Sequence, residues 1–424
     1  MSDPAVFISP KALPEFTARL LAWFSRYGRD LPWRKTRDPY AIWISEMMLQ
    51  QTTTETVRSY FGRFLSRFPD VFALARAGDE EVLSLWQGLG YYRRALLTRR
   101  AACRLVEQLG GVFPRTIGEL VALPGIGRYS AGAIRSLAFD LPSPILEANT
   151  RRLYARLTAL PQDAASPAGE KLLWRFAESI LPPKNGRDFT LALMDLGSLV
   201  CGQVPRCGEC PVRRFCAAAA AGMEDSFPIL SPKKQKIPRQ ECALSIRRPD
   251  ARGKEPVYLF VRYPNHLRWG GLWDFPRFEF PVGDCPDKSA DLREKVSEFL
   301  GTPPLIAPPL WRLRHSVTRY TIELSFCPIR LERGGRLKQD FWRSNDDRPI
   351  RFAGGRTTFG AVQFRWMTLD QARGLAMSTT GRKLRTVAEN LFSEFFSETP
   401  ASEKGKKPAK KPRAKTTRTA GGNR

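Results

Sequence analysis

The chain has 424 residues, 42% of them hydrophobic, which is enough for about two or three domains with cores of their own. Its 68 Lys and Arg against 42 Asp and Glu leave a net charge of +26, a surplus that points to a polyanionic partner. The sequence shows no long apolar run and no signal peptide, so no membrane partner is expected and a cytoplasmic, nucleoid-associated protein is. With His266 and His315 the only histidines, a histidine-based triad or a multi-histidine metal site is excluded as a working reading.

From Pro14 to Cys216 the chain reads as helices joined by short turns. Asp38 is placed to cap a helix that starts at Pro39, and Tyr40 to Phe68 carries apolar residues at helical spacing, among them Trp43, Met47, Tyr60 and Phe64. Further helices are predicted over Asp79–Trp86, Tyr92–Leu109, Ile117–Ala122, Ser130–Phe139, Arg151–Leu160, Gly169–Ile180 and Thr190–Val200.

Cys201, Cys207, Cys210 and Cys216 then follow with spacing C-x5-C-x2-C-x5-C. In a chain without secretory features such a cluster suits metal better than disulfides, and four thiolates suit either a tetrahedral zinc or a 4Fe–4S cluster. The spacers differ from the paired C-x2-C of an ordinary zinc ribbon. Cys103, Cys242, Cys285 and Cys327 are scattered and read as small buried hydrophobes.

Beyond the cysteines, Ser226–Arg239 is rich in Pro and Lys and reads as a linker. Period-two patterning follows: Ala243, Ser245 and Arg247 alternate with Leu244 and Ile246, and Val257–Arg262 and Tyr320–Ile329 read as strands, with a helix over Asp291–Leu300. From Ser402 on, nine Lys and Arg stand against Glu403 alone, the composition of a disordered basic tail.

Three constellations carry chemistry. Leu123-Pro124-Gly125-Ile126-Gly127-Arg128-Tyr129 lies between predicted helices, and its glycines let backbone N–H groups approach a phosphate at a helix N-terminus. This is the helix–hairpin–helix way of gripping a DNA backbone, which positions without reading sequence. Glu46 sits among Ile42, Trp43, Met47 and Leu49, a setting that favours the neutral acid, whereas Glu147 precedes a helix, where a carboxylate anion is favoured. Two carboxyl groups pushed in opposite directions suit an acid and an anion working on one glycosidic bond. Gln50-Gln51 and Gly88-Leu89-Gly90-Tyr91-Tyr92-Arg93-Arg94 pair an amide and an aromatic ring with arginines, as a wedge into a base stack requires.

In order along the chain stand Leu31–Arg34 (L-P-W-R), Ser45–Thr52 (S-E-M-M-L-Q-Q-T), Gly88–Tyr92 (G-L-G-Y-Y), Leu123–Tyr129 (L-P-G-I-G-R-Y), Met194–Gly197 (M-D-L-G) and the cysteine cluster. Together these resemble the MutY-type adenine DNA glycosylases of the helix–hairpin–helix, iron–sulfur base-excision superfamily. The resemblance continues more weakly through Trp269–Pro276 and Leu313–Ser316. It implies a multidomain protein: an all-α helix–hairpin–helix glycosylase domain with a 4Fe–4S cluster over residues 1–228, a linker at 229–240, an α+β Nudix-like lesion-recognition domain over 241–397 and a basic tail at 398–424. The implied activity is hydrolysis of adenine mispaired with 8-oxoguanine or guanine in double-stranded DNA by a monomeric enzyme, after the base is flipped out. By family match Glu46 protonates the adenine ring, Glu147 stands at the catalytic aspartate, and Tyr129 and Asn149 fall on active-site positions. Gln51 and Tyr91 match the wedge, Gly125 and Gly127 the hairpin, Arg34 and Thr318 further DNA contacts, and the four clustered cysteines the iron–sulfur ligands. A tyrosine at 129, where the endonuclease III type has a lysine, implies a monofunctional glycosylase.

The sequence departs from the family pattern at several points. Glu147 and Ala148 replace an aspartate and a glycine, and the first cysteine spacer is one residue short. Val317-Thr318-Arg319 stands for the family's F-S-H loop, and Leu191 for a polar residue facing adenine. Shifted base choice and noncatalytic lesion binding are therefore the alternative functions. Arg293, Glu294, Ser297, Glu298 and Gly301 look like a decayed Nudix box, which favours recognition over pyrophosphate hydrolysis.

Overall fold

A computed structural model of the chain describes residues 8–232, 235–249, 255–265, 268–331, 350–351, 357–358 and 363–395. The basic tail from Ser402 and His266 lie outside the described residues.

The first half is helical: α1 (Leu13–Tyr27), α2 (Pro39–Leu49), α3 (Thr54–Arg67), α4 (Val71–Arg76), α5 (Asp79–Trp86), α6 (Arg93–Leu109), α7 (Ile117–Val121), α8 (Arg128–Phe139), α9 (Ala148–Leu157), α10 (Pro167–Ser179), α11 (Gly186–Asp195) and α12 (Ala217–Ala220). Asp38 caps α2 as expected, its carboxylate accepting from the backbone N–H of Tyr40 at 3.1 Å and of Ala41 at 3.2 Å. Every residue of α2 from Tyr40 to Met48 is buried, the mark of a helix enclosed on all sides rather than lying on a surface. The helical spacing over Tyr40–Phe68 belongs to two helices, not one. The chain breaks at Gln50–Thr53, where Gln51 adopts φ +57°, and Thr53 caps α3. Three of the predicted starts shift by two or three residues, α8 beginning at Arg128, α9 at Ala148 and α10 at Pro167, and the stretch predicted from Thr190 begins at Gly186 and divides into α11 and a π-helical turn at Leu196–Val200.

The helices form two lobes. One packs α2–α8 around Trp43, Phe64, Phe68 and Trp86; the other packs α1, α9–α11 and the cysteine segment around Phe16, Tyr154, Phe176 and Phe189. A small cluster of Ile42, Ala133, Leu137, Ile145 and Leu191 lies where they meet, with Tyr129 against it. Asp195, wholly buried at the end of α11, anchors the segment that leads into α2, which includes a 3-10 turn at Pro32–Arg34. Arg34 grips it with both guanidinium tips at 2.7 and 2.8 Å, and Arg29 adds its Nε at 2.7 Å and its backbone N–H at 2.9 Å.

The second half contains β1 (Ile237–Ser245), β2 (Arg247–Pro249), β3 (Pro256–Arg262), β4 (Trp273–Asp274), β5 (Arg277–Phe280), α13 (Ala290–Leu300), β6 (Pro304–Ile306), β7 (Trp311–Val317), β8 (Tyr320–Leu331), β9 (Ile350–Arg351), β10 (Thr357–Thr358), β11 (Gln363–Met367) and α14 (Thr379–Phe395). One sheet runs β5-β1-β8-β6 with β7 against β8, and a second runs β11-β3-β2 with β4 against β3; β1 and β8 are parallel. The α+β reading holds, but β1 starts at Ile237, so the expected linker ends sooner than residue 240. Of the scattered cysteines, Cys242 and Cys327 are buried as expected, Cys103 is half-buried and Cys285 is exposed, on the turn that leads to α13.

The two halves touch directly. Trp273 donates its indole N–H to Glu80 of α5 at 3.0 Å, Leu272 and Ala376 join the core of the first lobe, and the Tyr92 hydroxyl reaches the Met377 carbonyl at 3.4 Å.

Asp195 sets the first expected outcome. Burial works against its charge, yet the Arg34 and Arg29 contacts hold its carboxyl below the usual range, so its stabilisation is present at neutral pH and is lost as pH falls through that lowered value. Asp195→Asn leaves two arginines without their anion, and urea denaturation at pH 7 is expected to show a loss of roughly 3–5 kcal/mol. A loss below about 1 kcal/mol would refute the anchoring role.

Candidate active site and DNA-facing surface

Three side chains from different elements meet at the junction of the lobes. Glu46 comes from α2 and is only 3% exposed. Tyr129, from the first turn of α8, donates its hydroxyl to Glu46 Oε2 at 2.8 Å. Glu147 is the N-cap of α9. The segment before Glu147 lies hard against α8, because a Cβ on Gly132 would stand 2.4 Å from the Pro144 carbonyl oxygen; only glycine permits this approach.

The two carboxyl groups live in opposite settings. Burial raises the Glu46 carboxyl to about 7; the Tyr129 hydrogen bond works against this, and the nearby Glu147 charge adds to it. Glu147 is held as an acceptor: Oε1 takes the Thr150 N–H at 2.9 Å and Oε2 takes the Asn149 N–H at 2.8 Å and its Nδ2 at 3.2 Å. The Thr150 hydroxyl accepts in turn from the Glu147 N–H at 2.8 Å and closes a capping box. The extra methylene of glutamate is thus taken up by curling the carboxylate onto its own helix. Asn149, anchored by Arg152 at 3.0 Å, completes this corner. Burial, with Glu46 and Glu147 nearby, pushes the Tyr129 phenol well above its ordinary range, so it remains a hydrogen-bond donor.

Gln51 and Tyr91 are both exposed, Tyr91 by 51%, and both hold the left-handed backbone that side chains other than glycine rarely adopt, with φ +57° and +47°. What holds them is a residue that sequence reasoning passed over. Arg94, 7% exposed, donates Nη1 to the Met47 and Met48 carbonyls at 2.6 and 3.0 Å. Its Nη2 reaches the Thr52 hydroxyl at 3.2 Å and the Gly90 carbonyl at 3.1 Å, and its Nε the Tyr91 carbonyl at 3.4 Å. One guanidinium therefore ties both strained loops to the end of the helix that carries Glu46. Its signal in the sequence is the second of two arginines after an aromatic pair, indistinguishable there from its exposed neighbour Arg93.

The hairpin has Gly125 at φ +79°, and a Cβ there would meet Leu97 at 2.9 Å. Gly127 caps α8, and space for a Cβ there is empty, so a phosphate can reach the backbone N–H groups. Arg34 is not on this surface: its guanidinium is committed to Asp195 and to the Arg29 carbonyl, and its charge is felt at Glu46 instead. Thr318 lies elsewhere again, at φ +49° in the exposed turn between β7 and β8. Leu191 is buried at the lobe junction, which removes it as a hydrogen-bonding partner of a base. Glu294 and Glu298 are exposed one turn apart on α13, and no group of three metal-binding side chains forms among the described residues.

Cys201, Cys207, Cys210 and Cys216 line one small cavity with Arg156 and Leu153 of α9. Arg156 donates to Cys201 Sγ at 3.4 Å, and Cys216 Sγ to the Arg156 carbonyl at 3.3 Å. Burial pushes the Cys207 thiol to about 11 and the Cys210 thiol to about 12.

Residues 44–179 match the HhH-GPD superfamily of base excision DNA repair proteins. The chain is 32% identical to the rat adenine DNA glycosylase, over 88% of this chain and 78% of that protein. The chain belongs to the adenine DNA glycosylases. It is 36% identical to the adenine DNA glycosylase of Buchnera aphidicola, over 62% of this chain and 74% of that one. The enzyme is a glycosylase of base-excision repair. A thermostable thymine-DNA glycosylase structure covers 50% of the chain, and 98% of its own length, at 28% identity and a TM-score of 0.46.

Two outcomes follow for this adenine glycosylase. Glu46 is raised from 4.5 to about 7 on folding, so the folded state is favoured at acid pH and loses about 3 kcal/mol relative to that as pH rises through 7. Glu46→Gln removes this loss, and its melting temperature is expected to exceed that of the unmodified enzyme at pH 8 but not at pH 4; equal melting at both would show the carboxyl is not withheld from water. Arg94→Met leaves several buried carbonyls unpaired, for an expected cost of roughly 2–4 kcal/mol in urea denaturation, together with weaker duplex binding. Unchanged binding in folded Arg94→Met would separate this residue from the wedge.

Proposed function

We propose that the enzyme hydrolyses the N-glycosidic bond of adenine opposite 8-oxoguanine or guanine in duplex DNA and leaves an abasic site without cutting the strand. The observation that carries this reading is a buried carboxyl group, Glu46, raised to about 7 and hydrogen-bonded to Tyr129, near a second carboxyl group, Glu147, held by backbone donors. Glu46, half-protonated near pH 7, donates a proton to the flipped adenine ring and makes it a better leaving group. Glu147, fixed by three donors from Asn149 and Thr150, faces the positive charge that grows on the sugar. Tyr129 orients Glu46 and has no amine with which to form a Schiff base, which supports a monofunctional reaction. Gln51 and Tyr91 hold the space left by the flipped base, and the Gly125–Gly127 hairpin grips the backbone.

The four cysteines fit a 4Fe–4S cluster. They line a common cavity, and their C-x5-C-x2-C-x5-C spacing departs from the paired C-x2-C of a zinc ribbon. When bound, the cluster supplies four metal–thiolate bonds that cross-link this segment beneath α9; the thiols lose their protons as it binds. The division into a helical domain over 1–228 and a Nudix-like domain over 241–397 is supported by the separate cores and sheets. The second domain reads the opposite strand through the exposed Val317–Arg319 turn, and a monomer suffices for this scheme.

Single-turnover base release tests the reading, with labelled duplexes carrying adenine opposite 8-oxoguanine, guanine, cytosine or thymine. Rapid release opposite 8-oxoguanine and guanine is expected, with strand breakage only after alkali. Glu46→Gln should slow release by about 10²–10⁴-fold while binding persists. Breakage without alkali, or full activity in Glu46→Gln, would overturn the mechanism.

A further inference from the structure

At the start of β8, directly after the Val317–Arg319 turn, three arginines surround one half-buried tyrosine. The guanidinium carbons of Arg239, Arg268 and Arg319 lie 5.1, 5.0 and 5.1 Å from the centre of the Tyr320 ring, and Arg319 Nε donates to the Tyr320 hydroxyl at 3.0 Å. They come from three separate elements: β1, the loop before β4, and the turn. Arg239 pairs with Glu279 and Arg268 with Glu241, so two carboxylates face three guanidinium groups around this ring. Arg239 and Arg268 remain 33% and 26% exposed despite those pairs. Like charges gathered on one face repel unless an anion lies across them.

The position of this group names the anion. Arg268 belongs to the loop whose Gly271 sits against Leu83 of α5 and Leu96 of α6. The connection between those two helices carries Tyr91. Arg268 thus stands three residues along the chain from the domain junction beside the wedge loop, which makes a duplex engaged at Tyr91 the polyanion we assign to the patch.

We infer that Arg239, Arg268 and Arg319, arrayed on the Tyr320 ring, form a phosphate-binding platform for the duplex backbone beside the lesion-facing turn. Tyr320 holds the planar groups at a common height by cation–π contact, and the guanidinium forks match phosphate oxygens in pairs. The platform meets the backbone, so it adds affinity and register without reading a base. In this chain it supplies grip where the turn carries Val317 and Arg319. The inference rests on the reading of the second domain as a DNA-contacting one.

Fluorescence anisotropy with the full chain tests it, using a duplex that carries 8-oxoguanine opposite a non-hydrolysable adenosine analogue and a lesion-free duplex, each over a salt series. Arg319→Ala and Tyr320→Ala leave the two carboxylate pairs in place and are the primary variants; Arg268→Lys, which keeps the charge but not the fork, is the third. Arg319→Ala and Tyr320→Ala should each weaken binding several-fold and equally on both duplexes. The slope of log affinity against log salt should flatten by about 0.9 for each phosphate that the variant no longer neutralises. Base release by Tyr320→Ala at saturating enzyme should stay within about twofold of the unmodified rate, and thermal melting reports whether the variants fold. Unchanged affinity and slope in folded Arg319→Ala and Tyr320→Ala would overturn the platform, and a weakening confined to the 8-oxoguanine duplex would replace phosphate binding with base reading. If the unmodified enzyme releases no adenine, the functional proposal fails, while the salt slopes still decide the fate of the platform.

Discussion

A carboxyl group kept from water at the meeting of two lobes is the constraint on which the catalytic arrangement depends. Glu46 can reach a value of about 7 only because α2 is enclosed along its whole buried length. That enclosure needs the second lobe to close over α2, and the closure is fixed by Asp195 under Arg29 and Arg34. The motifs at Leu31–Arg34 and Met194–Gly197 are therefore two ends of one ion pair. Contrasting environments a few side chains apart thus set a carboxyl group raised by burial near one held by backbone donors, without any histidine.

The DNA-facing loops show the same economy of parts. Gln51 and Tyr91 sit in strained conformations in separate loops, and strain of this kind persists only where the surroundings over-determine it. Arg94 provides that determination from beneath, with its charge spread over carbonyl oxygens of α2 and of the Tyr91 loop and over the Thr52 hydroxyl. Burial lowers the Arg94 guanidinium to about 10, still far above neutral pH, so the clamp stays cationic under working conditions.

Much of this was legible in the sequence where chemistry follows from local order. The cap at Asp38, the glycines of the hairpin, the contrasting settings of Glu46 and Glu147, and the change to period-two patterning after the cysteines are short-range signals, and the structure carries each of them. The misplaced features are long-range. Periodicity ran through the break at Gln50–Thr53 because Tyr60 and Phe64 keep the same apolar rhythm as Trp43 and Met47 on a new axis. Arg34 stands as a DNA contact by family match, and only its partner 161 residues away shows that its guanidinium is held in an ion pair with Asp195. Arg94 is hidden for the same reason: its value lies in six acceptors that only the folded chain assembles.

The departure at Glu147 has a structural answer of the same kind. A longer side chain at a catalytic aspartate position would project its charge further, and a displacement near 1 Å can cost on the order of 100-fold in rate. Here the carboxylate is turned back onto the first turn of α9, where the Asn149 and Thr150 N–H groups fix both oxygens. The longer arm is thus shortened by its own hydrogen bonds. Ala148 fits the same geometry as the first residue of α9, because a helical first turn needs no glycine. The two substitutions therefore act as one change at the start of α9, where the Glu147 carboxylate caps the helix and Ala148 begins it.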